Sequence, residues 1–357
     1  MFNVPKTMKG VHLTGHGESE VLQYCDDIAV PKPKYNQVLI RVTAAGVTAA
    51  GVNNTDINTR IAWYSKSDNN GEDASWSGNA LVFPRIQGAD VCGVIVAVGT
   101  GVDQQRIGER VLVEPCLREA NGEELDPPWY FGSECDGGFA EFTVVSSRHA
   151  YSINSELSDI ELATFPCSYS TAENMLTRTK VTSTDKVLIT GASGGVGSAA
   201  VQLAKARGAY VIAITSPAKQ DQLKDLGVDE VIFRDADLVD VLGDSSVDVV
   251  VDLVAGSQWP QLLNVLKRQG RYAVSGAIGG ALVELDVRTL YLKDLSFYGC
   301  TVLEPEVFQN LVTCIEQKKI KPIVALTFPL KDIYTAQKVF QEKQHVGKIV
   351  LKVADNT

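Results

Sequence analysis

The chain has 357 residues, a net charge of −10 from 33 Lys and Arg against 43 Asp and Glu, and is 45% hydrophobic and 21% charged. A single hydrophobic core usually stops growing at about 250–300 residues, so two domains are expected. The acidic balance disfavours nucleic acid and anionic membrane surfaces, both of which call for a basic face.

No segment reaches the roughly 18 apolar residues of a membrane-spanning helix. The best run, Val247 to Val254, is broken by Asp248 and Asp252. No long apolar run follows the N-terminal lysines, so a cytoplasmic protein is expected. Seven cysteines (Cys25, Cys92, Cys116, Cys135, Cys167, Cys300 and Cys314) are scattered without a C-x-x-C pair. That spacing predicts reduced, mostly structural thiols rather than a disulfide framework or a multi-cysteine metal lobe.

To about residue 150 the chain reads as short strands between turns: Val38 to Val42, Val91 to Val98 and Arg110 to Val113 are β-branched runs of antiparallel texture. Two long stretches, Ser65 to Leu81 and Leu117 to Gly138, read as irregular, either walls of a ligand site or surface decoration. From about Thr184 apolar strand runs alternate with helical segments. The runs are Lys186 to Thr190, Tyr210 to Thr215, Val231 to Phe233, Val247 to Val254, Arg271 to Gly276 and Leu295 to Cys300. Continuous apolar strands are buried on both faces, which predicts an α/β fold with a doubly wound parallel sheet. Amphipathic helices over Val307 to Gln317 and Lys331 to Glu342 and a strand over Lys348 to Val353 close the chain.

Directly after the run Lys186 to Thr190 comes G-A-S-G-G-V-G, Gly191 to Gly197, and then a good helix former. Strand, glycine turn and helix in that order make a Rossmann dinucleotide fingerprint, with Ala192 where many such turns carry their first Gly. Ser193, Gly194, Gly195, Val196 and Gly197 are the candidate phosphate contacts: Gly194 permits close backbone approach, Gly197 close helix packing, and free N–H groups attract the anion. The bland alternative is a tight structural turn. The next strand ends Thr215-Ser216-Pro217-Ala218-Lys219 with no acid before Asp221. An NAD site would carry an Asp or Glu there for the ribose hydroxyls. A hydroxyl at Ser216 and a cation at Lys219 suit a 2′-phosphate, so NADPH is the predicted cofactor.

With that turn stand Gly51 to Asp56 (G-V-N-N-T-D), Gly88 to Val102, Ile107 to Val111, Asp136 to Phe142, Ser170 to Asn174 (S-T-A-E-N) and Val346 to Leu351 (V-G-K-I-V-L). In this order they resemble the medium-chain dehydrogenase/reductase superfamily over nearly the whole chain. The resemblance implies a chaperonin-10-like β-rich catalytic domain, residues 1–168 with 304–357, with a Rossmann domain, residues 169–303, inserted. Where the zinc alcohol dehydrogenases of that superfamily place Cys, His–Glu and Cys around a metal, this chain has Asn53, Ala89–Asp90 and Cys167. One thiol and an amide cannot supply a zinc site, so no metal is predicted and Cys167 is expected to be a small buried residue beside the cofactor.

The substitutions resemble the zinc-independent branch, the zeta-crystallin-like quinone oxidoreductases and the 2-enoyl thioester reductases, which carry Asn in the motif spanning Asn53 to Asp56. In the enoyl reductases a Tyr eight residues after that Asp is proposed to protonate the enolate; here it is Tyr64. The competing reading of Tyr64 is packing against Trp63. By motif position Thr171 would face the nicotinamide, and Val254, Ser275, Gly276 and Lys348 would lie near the cofactor. Asp56 and Lys348 are expected to pair, chiefly tying the last strand down. The four histidines match no catalytic position. The leading expectation is a metal-free, NADPH-dependent oxidoreductase transferring hydride to a quinone or α,β-unsaturated carbonyl. The alternatives are alcohol or aldehyde dehydrogenase chemistry and a non-catalytic NADPH-binding protein. By family analogy the strand edge within Gly280 to Cys300 pairs two copies into a homodimer.

Overall fold

The computed structural model describes residues 3–42, 50–66 and 75–353. Contacts divide the chain into two compact units, Met1–Cys167 with Pro322–Gln344 and Lys348–Thr357, and Ser168–Lys321 with His345–Gly347.

The strands of the first unit are, in chain order, β1 (Thr7–Leu13), β2 (Leu22–Ala29), β3 (Gln37–Arg41), β4 (Ala50–Gly51), β5 (Cys92–Val98), β6 (Arg110–Val113), β7 (Cys116–Ala120), β8 (Glu123–Tyr130), β9 (Phe142–Ser146) and β10 (Ala150–Ser152). Five of them form an antiparallel sheet in the order β10-β6-β5-β3-β9. Its apolar face, with Val38, Ile40, Ile95 and Val111 all fully buried, anchors one core. Of the stretch Leu117 to Gly138, expected to be irregular, the part to Tyr130 is paired strand and only Phe131 to Gly138 is turns and bridges. Strands β7 and β8 pair as a hairpin, with Leu117 and Tyr130 buried and Asn121-Gly122, at φ 55 and 83, as the two-residue turn. Of the other expected loop, residues 67–74 lie outside the described residues.

The second unit carries β11 (Lys186–Ile189), β12 (Tyr210–Thr215), β13 (Glu230–Phe233), β14 (Val247–Asp252), β15 (Leu266–Val274) and β16 (Ser296–Gly299). All six are parallel in the order β13-β12-β11-β14-β15-β16. This is the doubly wound order 3-2-1-4-5-6 of dinucleotide-binding folds. Val249, Val250 and Val251 are successive and all fully buried, as a strand covered on both faces requires. β14 stops at Asp252 rather than Val254, because the Asp252 carboxylate accepts the N–H groups of Val254 (2.9 Å) and Ala255 (3.0 Å) and bends the chain.

The second unit extends past the expected boundary at 303, to Lys321. Asn174 donates to Val302 O and accepts from Glu304 N–H, both at 3.1 Å, while Lys321 N–H donates to Gln202 Oε1 (2.7 Å) and its carbonyl accepts from Tyr169 (2.7 Å). The helix Val307–Glu316 buries Leu311, Val312 and Ile315 on the same unit. The chain then returns to the first unit as β17 (Val324–Pro329) and β18 (Lys348–Lys352), which with β4 make a three-stranded sheet. Among the described residues, no helix is long and apolar enough to cross a membrane.

Candidate active site and dinucleotide turn

In the first unit the helix Asn54–Arg60 begins at Asn53, whose own N–H donates to Asp56 Oδ2 (2.8 Å), one half of a capping box. The local N-x-x-D motif thus places Asn53 at the helix start, in a capping box with Asp56. Asn53 Nδ2 donates to Asp90 Oδ2 (2.8 Å). Lys348, on β18, donates from Nζ to the same Asp90 oxygen (2.8 Å) and to Asn53 Oδ1. The second Asp90 oxygen accepts the N–H of Cys167 (2.6 Å), in the first turn of the helix Pro166–Arg178. A carboxylate at a helix N-terminus is favoured by the exposed N–H groups and the helix dipole.

Lys348 and Asp90 are 3% and 0% exposed, so they form a buried ion pair. Gly51 makes it possible: a Cβ there would lie 2.3 Å from Asp90 Oδ2 and 2.8 Å from Lys348 Cε. The expected pair between Asp56 and Lys348 is therefore corrected. Asp56 faces its own capping N–H, whereas Asp90 projects from the turn before β5 into reach of the lysine. Burial, opposed by the Asn53 N–H bond and by Lys348, pushes the Asp56 carboxyl up to about 7. Lys348, expected among the cofactor residues, is engaged with Asp90 and Asn53.

Cys167 is buried, and burial with the nearby Asp90 charge pushes its thiol up to about 12. Its Sγ lies 2.9 Å from Tyr130 Oη. Tyr130 is itself buried, packs with Ala89, Cys167 and Trp76, and meets the Trp76 ring at 4.6 Å. Burial raises its phenol well above the ordinary tyrosine range. Tyr64 is half-buried, its hydroxyl bonded by Thr55 and Asn58, and its phenol is also raised by burial. It meets Trp63 edge to face at 5.4 Å, the packing contact weighed for it. Tyr130 went unnoticed in the sequence; its only signal is the aromatic run W-Y-F after two prolines. Of the histidines, His149 is buried and satisfied: Nδ1 faces Glu114 Oε2 (2.8 Å) and Nε2 accepts Arg118 N–H (3.0 Å).

In the second unit, Gly191 to Gly197 join β11 to the helix Gly195–Ala206, with Gly194 at the N-cap. Gly191 has φ +57, a left-handed conformation that suits glycine. At Gly197 a Cβ would lie 2.3 Å from Gly191 O and 2.6 Å from Ala192 Cα, so only glycine lets the helix start pack on the turn. Ser198 N–H is the first to bond back within the helix, to Gly194 O (2.8 Å). The amides of Gly195, Val196 and Gly197 lead it, the arrangement that binds phosphate. Ser193 is buried in the turn, and Gly194 is exposed.

Val254, Ser275 and Gly276 come together at the carboxyl ends of β14 and β15. A Cβ on Gly276 would meet Leu253 O at 2.6 Å, and Gly279 N–H donates to Val254 O (2.7 Å). Beneath them the fully buried Asp252 accepts from Thr190 Oγ1 and Tyr272 Oη, both at 2.6 Å, which fixes the turn. Ser216 and Lys219 follow β12. Lys219 Nζ donates to His345 O (3.0 Å), and burial together with the Arg234 charge lowers its ammonium from the usual range. Arg234, just past β13, is a second cation at this strand end that was not anticipated. Thr171 lies half-buried on the helix Pro166–Arg178.

Residues 34–155 match the alcohol dehydrogenase GroES-like domain, and residues 195–317 match the zinc-binding dehydrogenase domain. The chain is 28% identical to human (Homo sapiens) quinone oxidoreductase, over 97% of this chain and 98% of that protein. It is 29% identical to an NAD-dependent alcohol dehydrogenase of Saccharolobus solfataricus, over 96% and 99%. A solved structure from Sinorhizobium meliloti 1021, assigned as an alcohol dehydrogenase, superposes with a TM-score of 0.88 at 43% identity, covering 98% of each chain. A GroES-like β-rich unit, an inserted six-stranded parallel sheet with its glycine turn, and these likenesses along the whole chain identify it as a member of the medium-chain dehydrogenase/reductase superfamily, whose cofactor is a nicotinamide dinucleotide.

Proposed function

We propose that the protein is an NADPH-dependent, metal-free reductase that delivers hydride to a quinone or an α,β-unsaturated carbonyl. The observation that carries this reading is the Lys348 ammonium, held by Asp90 and Asn53 at the cluster where zinc relatives assemble their metal ligands. A catalytic zinc needs about three N, S or O ligands and an open position. Here the thiol of Cys167 is pushed up to about 12, the Asp90 and Asn53 oxygens are engaged by the ammonium, and residue 89 is alanine. These residues do not fit zinc, and no step is derived through it.

A reduced nicotinamide, when bound, supplies the hydride; the amides of Gly195 to Gly197 would hold its pyrophosphate, and Thr171 would face the ring. The chain's remaining task is to stabilise and protonate the oxygen on which charge gathers. Tyr64 Oη, a phenol protonated at neutral pH and raised further by burial, is the proposed donor to the enolate or hydroquinone oxygen. Tyr130 is the deeper second phenol, with its hydroxyl on Cys167. Asn53 holds the helix bearing Asp56 and fixes Lys348.

NADPH is favoured over NADH by Ser216, Lys219 and Arg234. The Arg234 charge adds to burial in lowering the Lys219 ammonium, and a 2′-phosphate would relieve that repulsion. A homodimer is supported by exposed apolar residues in the segment leading to the sheet's last strand, β16: Ile278, Leu282, Val287, Tyr291 and Leu292. A second copy would cover them.

The test is turnover after metal chelation across a quinone, enone, enal and alcohol panel, with NADPH and NADH each as donor. The reading requires reduction of a quinone or enone, preference for NADPH that Lys219→Ala with Arg234→Ala removes, and a loss of about 10²-fold or more in Tyr64→Phe. The likeness to the NAD-dependent alcohol dehydrogenase favours a second reading, alcohol oxidation. Chelator-sensitive alcohol oxidation with stoichiometric zinc would establish it instead.

A further inference from the structure

In the second unit β11 and β14 lie side by side at the point where the strand order reverses, the place where doubly wound sheets open a crevice for a ligand. The chain leaves β11 through the glycine turn toward β12, and leaves β14 through Leu253 to Gly256 toward β15. Beyond the strand ends no ladder sets the separation of these two turns. A pair of side chains does so instead.

Asp252, the last residue of β14, is fully buried. Its Oδ1 accepts from Thr190 Oγ1 (2.6 Å) and from the N–H groups of Val254 (2.9 Å) and Ala255 (3.0 Å). Its Oδ2 accepts from Tyr272 Oη (2.6 Å), which accepts in turn from Trp259 Nε1 (2.9 Å). Thr190 immediately precedes the glycine turn, and its hydroxyl also accepts Leu253 N–H (2.8 Å). One hydroxyl thus donates to and accepts from the opposite turn.

The turn after β14 is not held by backbone preference alone. Ala255 has φ 55 and ψ −141, a conformation disfavoured for a residue with a Cβ, and its N–H is one of those that Asp252 accepts. The segment after β15 is fitted to the same turn. Ser275 N–H donates to Asp252 O (3.1 Å), Gly279 N–H donates to Val254 O (2.7 Å), and a Cβ on Gly256 would lie 2.3 Å from Gly279 O.

We infer that Asp252 and Thr190 are positioning residues of the dinucleotide site. Their bond fixes the span between the amides that would hold the pyrophosphate and the edge, Val254 with Ser275 and Gly276, that would seat the nicotinamide half. A whole dinucleotide engages both turns and gains affinity when their separation is set in advance. A fragment lacking the nicotinamide does not depend on that span. The inference rests on reading these turns as the dinucleotide seat.

The experiment is calorimetric titration of the full chain with NADPH against 2′-phospho-ADP-ribose, and with NADH against ADP-ribose. Within the pair that binds, the Kd of the fragment divided by that of the whole cofactor measures what the nicotinamide adds. Thr190→Val keeps the side-chain shape and deletes the bridging hydroxyl. It is expected to shrink that ratio about fivefold or more, while the fragment's own Kd changes by less than about twofold. Thr190→Ser keeps the hydroxyl and is expected to restore the parent ratio. Tyr272→Phe removes the donor to the other Asp252 oxygen and serves as the comparison for a purely structural loss: its urea midpoint should fall while its ratio stays with the parent. The inference is overturned if Thr190→Val lowers the urea midpoint without moving the ratio, or weakens fragment and whole cofactor alike. It is equally overturned if Tyr272→Phe shrinks the ratio as much, or if the parent binds the fragment as tightly as the cofactor. Should neither pair bind the parent, the dinucleotide reading falls and this inference with it; should a pair bind with the ratio unmoved, only the bridge is refuted. A preference for the NADH pair contradicts the NADPH assignment alone.

Discussion

Replacing Lys348 by Met tests the reading of the Asn53–Asp90–Lys348 cluster most directly, because it keeps much of the side-chain volume and deletes only the ammonium. Asp90 is fully buried and would keep two donors, Asn53 Nδ2 at 2.8 Å and Cys167 N–H at 2.6 Å, while losing its counter-ion. Removing one member of a buried ion pair costs about 3–5 kcal/mol, since the remaining charge stays desolvated. Against a typical stability of about 5–15 kcal/mol this is a large loss. Asp90→Asn leaves an unpaired ammonium and should cost a comparable amount. The double variant removes both charges and keeps an amide to accept from Cys167. It is expected to be more stable than the sum of the singles implies, by roughly 1–3 kcal/mol. Urea unfolding followed by circular dichroism, with the four proteins at one pH and salt, measures the cycle. A loss under about 1 kcal/mol in Lys348→Met, or strict additivity, would refute a buried, mutually dependent pair.

Asp56 gives a pH signature. Its carboxyl stands at about 7 in the folded chain against an ordinary 3.8, so folding favours the protonated form. Stability from this group is fully present below about 4 and is lost as pH rises through about 7. Asp56→Asn should therefore gain on the parent progressively between pH 5 and 8, by a difference on the order of 2–4 kcal/mol, read as urea midpoints. A gap independent of pH contradicts the assignment. Gly197→Ala places a methyl carbon where Gly191 O stands 2.3 Å away. It is expected to cost about 1–3 kcal/mol and to weaken NADPH binding, because the turn and its leading amides must shift. Unchanged thermal midpoint and NADPH affinity would argue that the helix start relaxes freely.

The parallel sheet was legible from the chain alone because its information is local: uninterrupted β-branched runs, helical segments between them, and a glycine turn after the first strand. The β-rich character of the first unit was legible for the same reason. In the long stretch from Leu117 to Gly138 the two prolines and the charged residues obscure the strand pattern, although Asn121-Gly122 is a local hairpin turn that pairs Ala120 with Glu123. The later end of the second unit was hidden as well. Residues 302–321 are claimed by Asn174, Tyr169 and Gln202, more than 100 positions earlier.

Residue types alone determined that Asn53, Ala89 and Cys167 make a poor zinc site and that the strand after the glycine turn ends without an acid. Which carboxylate takes the lysine was a tertiary decision. Asp90 and Lys348 are separated by 258 residues, and Asp56, nearer to the motif and equally acidic, turns back to cap its own helix. The Tyr130–Cys167 contact, the second cation at Arg234 and the Thr190–Asp252 bond arise in the same way. Periodicity and motif spacing encode which face of an element is buried. The identity of the side chain waiting on the other side is set only when distant segments pack and each buried polar group must find a partner or go without one.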